Sequence, residues 1–365
     1  MIKVPLTNDI LKRISDIDEK RVKLEGVHIS IPTRNKLRKN SKKKSSYASN
    51  KIEGNPLSEN EVSRVIDEDP HRHFLKPEQE VRNYYMALEF LEKKRKMKEP
   101  FSKELILEVQ ALVEKGASKE KIGLRGQMPP GILFAVYDSV TGNPDYIPPE
   151  YIDIPELLDE LVAYVLTSDD HTLIKAAVVH YQLVTIHPFE DGNGRTARLM
   201  SGYVLDTGGY DFAGVGSLEE YFAYDQDEYY NSIQMGLPAL YYSGRDNPPH
   251  PEIWIDYFLR MMELYASKVY ELSIASADEN IAGSLSYLNI KEKELLKYIL
   301  KNSYKEFTPI DISKKIGVTN KTVINRLAKL AGNGFVEPIV VKERIRSYRV
   351  TAFSEKNKKS ILKLI

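Results

Sequence analysis

The sequence predicts a mainly α-helical protein with one β-hairpin, followed by a small α+β domain. Three observations indicate this: helical apolar spacing dominates the first 280 residues, one short β-prone segment interrupts it, and short helices followed by a strand pair come after about Ala282. With 365 residues and 42% hydrophobic content, the chain is long enough for two or three globular domains.

Composition excludes several classes of protein. The sequence contains no cysteine, which rules out disulfides, thiolate nucleophiles and Cys-ligated zinc and leads us to expect a reducing compartment, the cytoplasm. The first 21 residues carry charges where a signal peptide would need an apolar run. The most apolar helical segment, Thr172–Ile186, is interrupted by Lys175 and His180 and is shorter than the roughly 20 residues that span a bilayer, so we expect no membrane segment.

Charge is balanced overall but not along the chain. Lys plus Arg and Asp plus Glu both number 52. From Leu288 to the end there are 18 basic and 7 acidic residues, a net of +11, which leaves about −11 for residues 1–287. This asymmetry predicts different partners for the two parts of the chain.

An N-terminal extension covers residues 1–75. One helix is predicted from Asp9 to Leu24, and the basic stretch 34–44 has no apolar periodicity, which is typical of a solvated linker. A short helix is predicted from Ser45 to Glu53, with Ser58 capping the helix that follows.

Residues 76–280 are predicted to form the helical core. Apolar residues at three- and four-residue spacing, with turn residues between the segments, indicate helices at Glu78–Lys96, Ser102–Lys115, Pro155–Thr167, Thr172–Ile186, Gly194–Asp206, Tyr221–Met235 and Pro251–Ile274. The β-prone runs Ile132–Tyr137 and Asp145–Ile147, joined by the turn chemistry of Thr141–Gly142–Asn143, predict a lone hairpin.

Residues 187–198 read HPFEDGNGRTAR and lie between two predicted helices. Backbone N–H groups of Gly192-Asn193-Gly194, just before a helix, can converge on an anion. Asp191 offers a carboxylate of the kind that Mg²⁺ uses when it bridges nucleotide phosphates. Arg195 and Arg198 are three residues apart, on one helix face, where both can hold phosphate oxygens.

The remaining chemistry of the segment comes from His187. It stands four residues before Asp191, at the end of the preceding helix, and its unperturbed pKa near 6.5 suits proton abstraction from a hydroxyl group. The combination resembles the Fic family signature H-x-F-x-[D/E]-G-N-G-R-x-x-R. The matching residues are His187, Phe189, Asp191, Gly192, Asn193, Gly194, Arg195 and Arg198.

The resemblance implies a reaction and assigns roles. Fic proteins usually transfer AMP from ATP to a Ser, Thr or Tyr hydroxyl of another protein and release pyrophosphate. By the resemblance, His187 deprotonates the target, Asp191 holds Mg²⁺, Phe189 packs inward, and the hairpin is the flap that aligns a target segment by main-chain pairing. The implied ATP and phosphate site comprises Glu190, Asp191, Gly192, Asn193, Gly194, Arg195 and Arg198, and the implied adenosine pocket comprises Tyr229 and Tyr230.

A second pattern precedes the core. Ser49-Asn50-Lys51-Ile52-Glu53-Gly54 fits the inhibitory motif [S/T]-x-x-x-E-[G/N] of one class of Fic proteins. Glu53 paired with Arg198 would occupy the guanidinium that the ATP γ-phosphate needs. Some Fic proteins with this glutamate also remove AMP, and the sequence leaves open whether Glu53 inhibits, assists removal, or does both.

Residues 285–365 resemble a winged helix-turn-helix. The predicted elements are helices at Lys291–Lys301, Ile310–Ile316 and Asn320–Gly332 and strands at Phe335–Val341 and Arg344–Val350. DNA binding through residues 320–346 is one interpretation, and docking or dimerisation with protein is the other. The candidate DNA contacts are Lys321, Asn325, Arg326, Lys329, Arg344 and Arg346.

Two alternatives to a simple AMP transferase stay open. The chain could be a DNA-binding transcriptional regulator whose Fic core senses nucleotide or modifies the protein itself. Relatives of the fold also transfer UMP, phosphocholine or phosphate, although the complete signature favours ATP. The sequence does not decide the target protein, the modified residue, or whether the chain forms a homodimer.

Overall fold

The computed structural model describes the chain except residues 1, 28, 30, 119–121, 133, 138–143, 238–240, 243–247 and 342–343. The described part is mainly helical with small sheets, which confirms the predicted fold class. By backbone contacts the chain divides into two units, residues 1–21 with 36–269 and residues 22–35 with 270–365. The boundaries 1–75, 76–280 and 285–365 stay a prediction from sequence pattern. In the described part, none of the helices combines the length and apolarity needed to cross a membrane.

Three helices form the N-terminal part of the chain: α1 (Asn8–Glu25), α2 (Ile31–Ile52) and α3 (Glu59–Asp67). The linker predicted at residues 34–44 is wrong, because α2 is continuous through it. Its lysines have acidic partners: Lys43 lies 2.5 Å from Asp67, and Lys42 lies 2.7 Å from Glu92. The predicted cap at Ser58 is confirmed by a capping box.

The buried face of α2 explains why apolar periodicity does not reveal it. This face is made of small polar residues, chiefly Ser41, Ser45, Ser46 and Ser49. Two of these hydroxyls bond carbonyls one turn back, and Ser45 donates to Glu219 at 2.8 Å. The helix is therefore held by hydrogen bonds and ion pairs, which a hydrophobic pattern cannot report.

The rest of the first unit is built on a central helix pair. The helices are α4 (Lys76–Lys96), α5 (Lys103–Glu114), α6 (Ile154–Thr167), α7 (Thr172–Ile186), α8 (Asn193–Thr207), α9 (Glu219–Phe222), α10 (Gln226–Gln234) and α11 (Pro251–Ser286). Almost every residue of α7 and α8 is buried, so these two helices form the centre of the unit. The helix predicted at Tyr221–Met235 is two helices, because Asp225 caps α10, and the helix predicted to end at Ile274 runs on to Ser286.

A three-stranded sheet interrupts the helices. Strands β1 (Val136–Tyr137) and β2 (Pro144–Ile147) pair antiparallel, and their turn at residues 141–143 lies outside the described residues. A further strand, β3 (Tyr241–Tyr242), pairs parallel with β2. The predicted lone hairpin is therefore wrong in one respect, since a distant two-residue strand, too short for a sequence pattern, completes the sheet.

The second unit has its own apolar core. Its elements are α12 (Ile290–Lys301), β4 (Glu306–Phe307), α13 (Pro309–Ile316), α14 (Asn320–Gly332), β5 (Val336–Val341), β6 (Arg344–Val350), α15 (Ala352–Lys356) and α16 (Lys358–Leu364). The sheet is antiparallel in the order β4-β6-β5. Leu296, Val323, Leu327 and Phe335 are fully buried within this unit. The three helices and two main strands expected there are present, whereas the identity of this unit as a winged helix stays a prediction.

Candidate active site

The HPFEDGNGRTAR segment forms the tight connection between α7 and α8. α7 ends at His187, which adopts the left-handed conformation with φ 50° and ψ 59°. Such a conformation disfavours any residue with a Cβ by roughly 1–2 kcal/mol. Gly192, with φ 80°, precedes the first turn of α8. Two left-handed residues therefore turn the chain sharply and place His187 beside the N-terminus of α8.

Asn193 holds this connection from inside. Its amide donates to the carbonyl of Phe189 at 2.9 Å and accepts from the Phe189 N–H at 3.0 Å. The Phe189 side chain is completely buried, as the sequence predicts, and its backbone pairs with Leu124. The loop backbone is therefore fixed before any ligand binds, which favours catalysis by preorganised groups.

His187 has the tautomer that a base requires. Its Nδ1 lies 3.2 Å from the Val184 carbonyl, so Nδ1 carries the proton and Nε2 keeps the lone pair. Loss of solvation lowers the pKa of His187 to about 4, assisted by the charge of Arg125 and opposed by the Val184 bond, Glu53 and Asp191. The ring is thus neutral near pH 7 and able to accept a proton at Nε2.

A buried arginine links the hairpin to this histidine. Arg125 donates from Nε to the His187 carbonyl at 2.8 Å and from Nη2 to the Pro149 carbonyl, just after β2. Its backbone N–H bonds the Pro188 carbonyl at 2.9 Å. The guanidinium also lies 4.7 Å over the Phe134 ring. Arg125 therefore ties the hairpin base to the signature loop, a role that the sequence analysis missed because an isolated arginine carries no pattern.

Arg198 is enclosed by the end of α2. Its Nε donates to the Ser49 hydroxyl at 2.7 Å, and its Nη2 donates to the Ser49 carbonyl at 3.0 Å and to the Glu53 carboxylate at 2.6 Å. The Arg198 side chain is 1% exposed and that of Glu53 33%. Although burial opposes the charge, the ion pair with Glu53 raises the pKa of Arg198. The structure therefore brings the two ends of the predicted inhibitory contact together.

Glu53 also lies against the anion loop. A Cβ added to Gly194 would stand 2.4 Å from Glu53 Oε1 and 3.2 Å from Arg198 Nη1. The carboxylate thus lies in contact with the first turn of α8, where a phosphate would be attracted by the helix end. Gly54 follows Glu53 with φ 78°, a conformation that suits glycine and ends the helical turn.

Arg195 and Asp191 form a pair that includes a third residue, Glu114. Arg195 Nη2 lies 2.9 Å from Glu114 Oε1 and 3.4 Å from Asp191 Oδ1. Arg195 and Glu114 are almost fully buried, whereas the Asp191 side chain is 33% exposed. Burial raises the pKa of Glu114 to about 7, against the opposing effect of Arg195. Arg195 is therefore held within the protein here, and its predicted phosphate contact stays a prediction.

Asp191 suits a magnesium ion that the nucleotide completes. Within the described ranges no three acidic or histidine side chains gather into a protein-only metal site. Mg²⁺ commonly binds through one or two carboxylates and takes its other ligands from phosphates and water. The part-exposed carboxylate of Asp191 at the anion loop fits that mode, and Glu190 beside it is exposed.

The two tyrosines predicted for the adenosine pocket differ in environment. Tyr229 is fully buried, and its hydroxyl lies 3.4 Å from Arg198 Nη1 and 3.0 Å from His180 Nε2. Tyr230 is 47% exposed and donates to the carbonyl of Ile52 at 3.3 Å. Tyr229 therefore packs behind Arg198, while Tyr230 lies at the surface next to the end of α2. The adenosine contact stays a prediction for both.

The sequence analysis also missed the polar residues of α5. Gln110 and Glu114 are one turn apart and buried, and Gln110 Nε2 donates to the Asp191 carbonyl at 3.2 Å. Polar residues four apart on the apolar face of a helix were an available signal, because such groups are rarely buried without a partner.

Comparison with known proteins agrees with this geometry. Residues 100–205 match the sequence model of the Fic/DOC family. These residues are a Fic/DOC domain. The Fic domain includes α5, the hairpin, α7 and the signature loop, whereas Glu53, on the inhibitory motif, and Tyr229 lie outside the matched range.

Relatives of the Fic domain are named protein adenylyltransferase Fic. One from Nematostella vectensis is 41% identical over 69 residues, 18% of this chain and 16% of the relative. Others, from Aedes aegypti and Drosophila mojavensis, are 28% identical over 155 residues and 27% identical over 213 residues. The matched part covers 29% and 38% of those two proteins, so in each case less than two fifths of the relative is matched.

Solved structures share the fold. A Fic family protein from Desulfovibrio desulfuricans G20 matches with a TM-score of 0.58 and 20% identity, covering 96% of this chain and 98% of that chain. Fic-1 (residues 134–508) from Caenorhabditis elegans matches with a TM-score of 0.54 and 23% identity, covering 73% and 72%. At these identities the likeness concerns the fold alone.

Proposed function

We propose that the chain transfers AMP from ATP to a Ser, Thr or Tyr hydroxyl of a target protein or of itself. The observation that carries the proposal is the state of His187: it is neutral, its Nδ1 bonds Val184, and its basic Nε2 belongs to the same fixed loop as Gly192–Gly194. The Fic domain and its relatives named protein adenylyltransferase support the same reaction.

In this mechanism His187 Nε2 takes the proton of the target hydroxyl. The hydroxyl oxygen forms a bond to the α-phosphorus, and the bond from that phosphorus to the oxygen bridging the β-phosphate breaks, so that pyrophosphate leaves. The amides of Gly192–Gly194 and the end of α8 stabilise charge on the transferred phosphate. Asp191 holds Mg²⁺, which supplies neutralisation of the phosphate charge, and Arg198 receives the γ-phosphate.

The same proposal includes autoinhibition by Glu53. Its carboxylate bonds Arg198 Nη2 and lies against Gly194, so it occupies one phosphate-binding nitrogen and repels an anion at the loop. ATP can bind while Glu53 stays, but its γ-phosphate cannot reach Arg198, and the α-phosphorus is not aligned for attack. Removal of Glu53 therefore restores the productive position of ATP.

The decisive experiment follows label from α-labelled ATP and Mg²⁺ onto protein, with and without cell lysate. We expect strong labelling by Glu53→Gly, tenfold for each 1.4 kcal/mol of competition relieved, and none after His187→Ala is added. Glu68→Gly, which removes an exposed glutamate after α3, is the matched control and should behave as the unaltered protein. No label with any variant would contradict AMP transfer and favour another donor.

Removal of AMP by Glu53 is tested on the product of that experiment. A target labelled by Glu53→Gly is purified and incubated with the unaltered protein or with Glu53→Gly, and released AMP is measured. Release by the unaltered protein alone would assign Glu53 a role in placing a water for the reverse reaction. Equal release, or none, would leave Glu53 as an inhibitor only.

A second candidate function, DNA binding, is favoured by the charges of the second unit. Lys321 and Lys329 on α14 and Arg344 and Arg346 on β6 are exposed, and within the described residues none of them has an ion pair. Unpaired cations on one helix and one strand suit phosphate contacts. The chain would then act as a transcriptional regulator whose Fic core senses nucleotide or modifies itself.

Salt dependence tests that candidate. Binding to duplex DNA should weaken steeply as salt rises, and Lys321→Ala should lower the slope by about one per phosphate contact. Lys291→Ala, at an exposed lysine on α12, is the control and should leave the slope unchanged. Absence of binding at about 50 mM salt would favour the alternative, docking or dimerisation, which light scattering would detect.

A further inference from the structure

α5 presents two buried polar side chains to the signature loop. The buried face of the helix is otherwise apolar, with Leu105, Ile106, Val109 and Val113. Gln110 accepts from the Gly123 N–H at 3.0 Å and donates to the Asp191 carbonyl at 3.2 Å. Glu114, one turn later, is 1% exposed. A glutamate is rarely buried so deeply unless a partner holds it, so its contacts indicate its role.

Glu114 contacts both the backbone of the loop and Arg195. A Cβ at Gly192 would stand 2.6 Å from Glu114 Oε1, which means that the carboxylate packs directly on the loop at that glycine. The same oxygen accepts from Arg195 Nη2 at 2.9 Å. Glu114 is therefore packed between the anion loop and the arginine that follows it, although it lies 81 residues from Arg195 in sequence.

Arg195 has two carboxylates within reach of one nitrogen. Nη2 is closer to Glu114, at 2.9 Å, than to Asp191, at 3.4 Å. Nε and Nη1 of Arg195 are buried without a hydrogen-bond partner in the described part of the chain. The charge of this buried arginine thus depends on these two acids, and the interaction energy of each scales inversely with distance. Loss of one acid would strengthen the hold of Arg195 on the other.

We infer that Glu114 is a positioning residue that balances the charge of Arg195 and so leaves Asp191 able to bind magnesium. The inference rests on the proposed function, because it takes Asp191 as the residue that holds Mg²⁺. Without an anion at position 114, Arg195 would have Asp191 as its remaining carboxylate, and Mg²⁺ would compete with a buried cation for the same oxygens. Glu114 does not touch the reacting atoms and acts through Arg195.

The test measures magnesium dependence in the Glu53→Gly background at pH 8, where the Glu114 carboxylate is ionised. Glu114→Gln keeps the shape and the hydrogen bond but removes the charge. We expect the Mg²⁺ concentration for half-maximal transfer to rise on the order of tenfold, which corresponds to 1.4 kcal/mol, with the rate recovered at high Mg²⁺. Glu104→Gln, at an exposed glutamate on α5, is the control and should leave that concentration unchanged.

Calorimetry supplies a readout that does not depend on transfer. ATP affinity is titrated against Mg²⁺ in Glu53→Gly with and without Glu114→Gln, and the same shift is expected. Should Glu53→Gly label no protein, the proposed reaction is wrong, while calorimetry still decides the role of Glu114. If Glu114→Gln does not fold, Glu114→Asp, which withdraws the carboxylate from Arg195, gives the same comparison. A lower Tm with unchanged Mg²⁺ dependence would overturn the inference and make Glu114 structural only.

Discussion

Glu53 and Arg198 stand 145 residues apart in sequence and 2.6 Å apart in the structure. The contact joins the end of α2 to the first turns of α8, and the same carboxylate lies where a Cβ on Gly194 would collide with it. Inhibition in the proposed mechanism therefore has two parts, because Glu53 occupies a guanidinium nitrogen and also covers the anion loop. Each part predicts effects that can be measured separately.

Removal of Glu53 should lower stability while it raises activity. Glu53→Gly leaves the buried Arg198 guanidinium with the Ser49 bonds but without its carboxylate, a loss of roughly 1–3 kcal/mol, since Glu53 is one-third exposed. Tm should fall, and ATP with Mg²⁺ should raise it more than in the unaltered protein, because the γ-phosphate replaces the lost anion. Thermal unfolding with and without MgATP measures both effects, and an equal ATP response in the two proteins would contradict the competition.

Ser49 should contribute a smaller share of the inhibition. Ser49→Ala removes the 2.7 Å bond to Arg198 Nε but keeps the backbone carbonyl and Glu53. We expect the labelling rate to rise by a few fold, less than in Glu53→Gly, since a single hydrogen bond to a charged group contributes about 1.5–3 kcal/mol and part of it is recovered from the phosphate. Ser46→Ala is the matched control on the same helix, because Ser46 bonds the Lys42 carbonyl instead. Equal rates in both variants would contradict this.

Ionic strength should weaken inhibition, because α2 is held by charge. Lys43 lies 2.5 Å from Asp67 and 2.9 Å from the hydroxyl of Ser63, with 13% of its side chain exposed. Pairs of this kind contribute up to about 1 kcal/mol and are screened by salt, so Lys43→Gln should raise the labelling rate by about twofold to fivefold. Lys51→Gln, on the same helix, is the control, and in Glu53→Gly neither lysine change should matter. A salt-independent rate in the unaltered protein would exclude an electrostatic hold on α2.

The parts of this site that the sequence predicts are those in which side-chain type and spacing suffice. His187, Asp191 and Arg198 are found by a twelve-residue pattern, and Glu53 by a six-residue one, because each pattern specifies a short segment of backbone. Glu114 and Arg125 belong to no such segment. Their roles come from packing between elements far apart in sequence, so only the folded chain shows them.

The fold shows the same division. α7 and α8 have dense apolar positions, and their predicted ranges agree with the observed ones within two residues. α2 was missed over residues 34–44 because its buried face consists of serines and its lysines pair with acids on other elements. Strand β3 exists because β2 lies next to it, and two residues carry no periodicity of their own. Long-range polar contacts therefore account for most of what the sequence did not predict.

The pH dependence of transfer should reflect His187 in its shifted state. With a pKa of about 4 and an essential neutral form, kcat/KM should be flat between pH 6 and 8 and fall only below about pH 5. An ordinary histidine would give an inflection near 6.5, so such an inflection in Glu53→Gly would contradict the assignment. Kcat should show a higher apparent pKa than kcat/KM, because bound triphosphate places negative charge near the ring.

Arg125 and stability provide two independent checks on that shift. Arg125→Gln removes a cation that lowers the pKa of His187, so the inflection should move to higher pH. In stability measurements the sign is fixed by linkage: the unfolded chain binds the proton at its ordinary pKa near 6.5, before the folded chain does. The free energy of unfolding should therefore decline as pH falls from 6.5 towards 4, and less so in His187→Gln. An equal decline in both proteins would mean that His187 is not the group whose pKa burial has lowered.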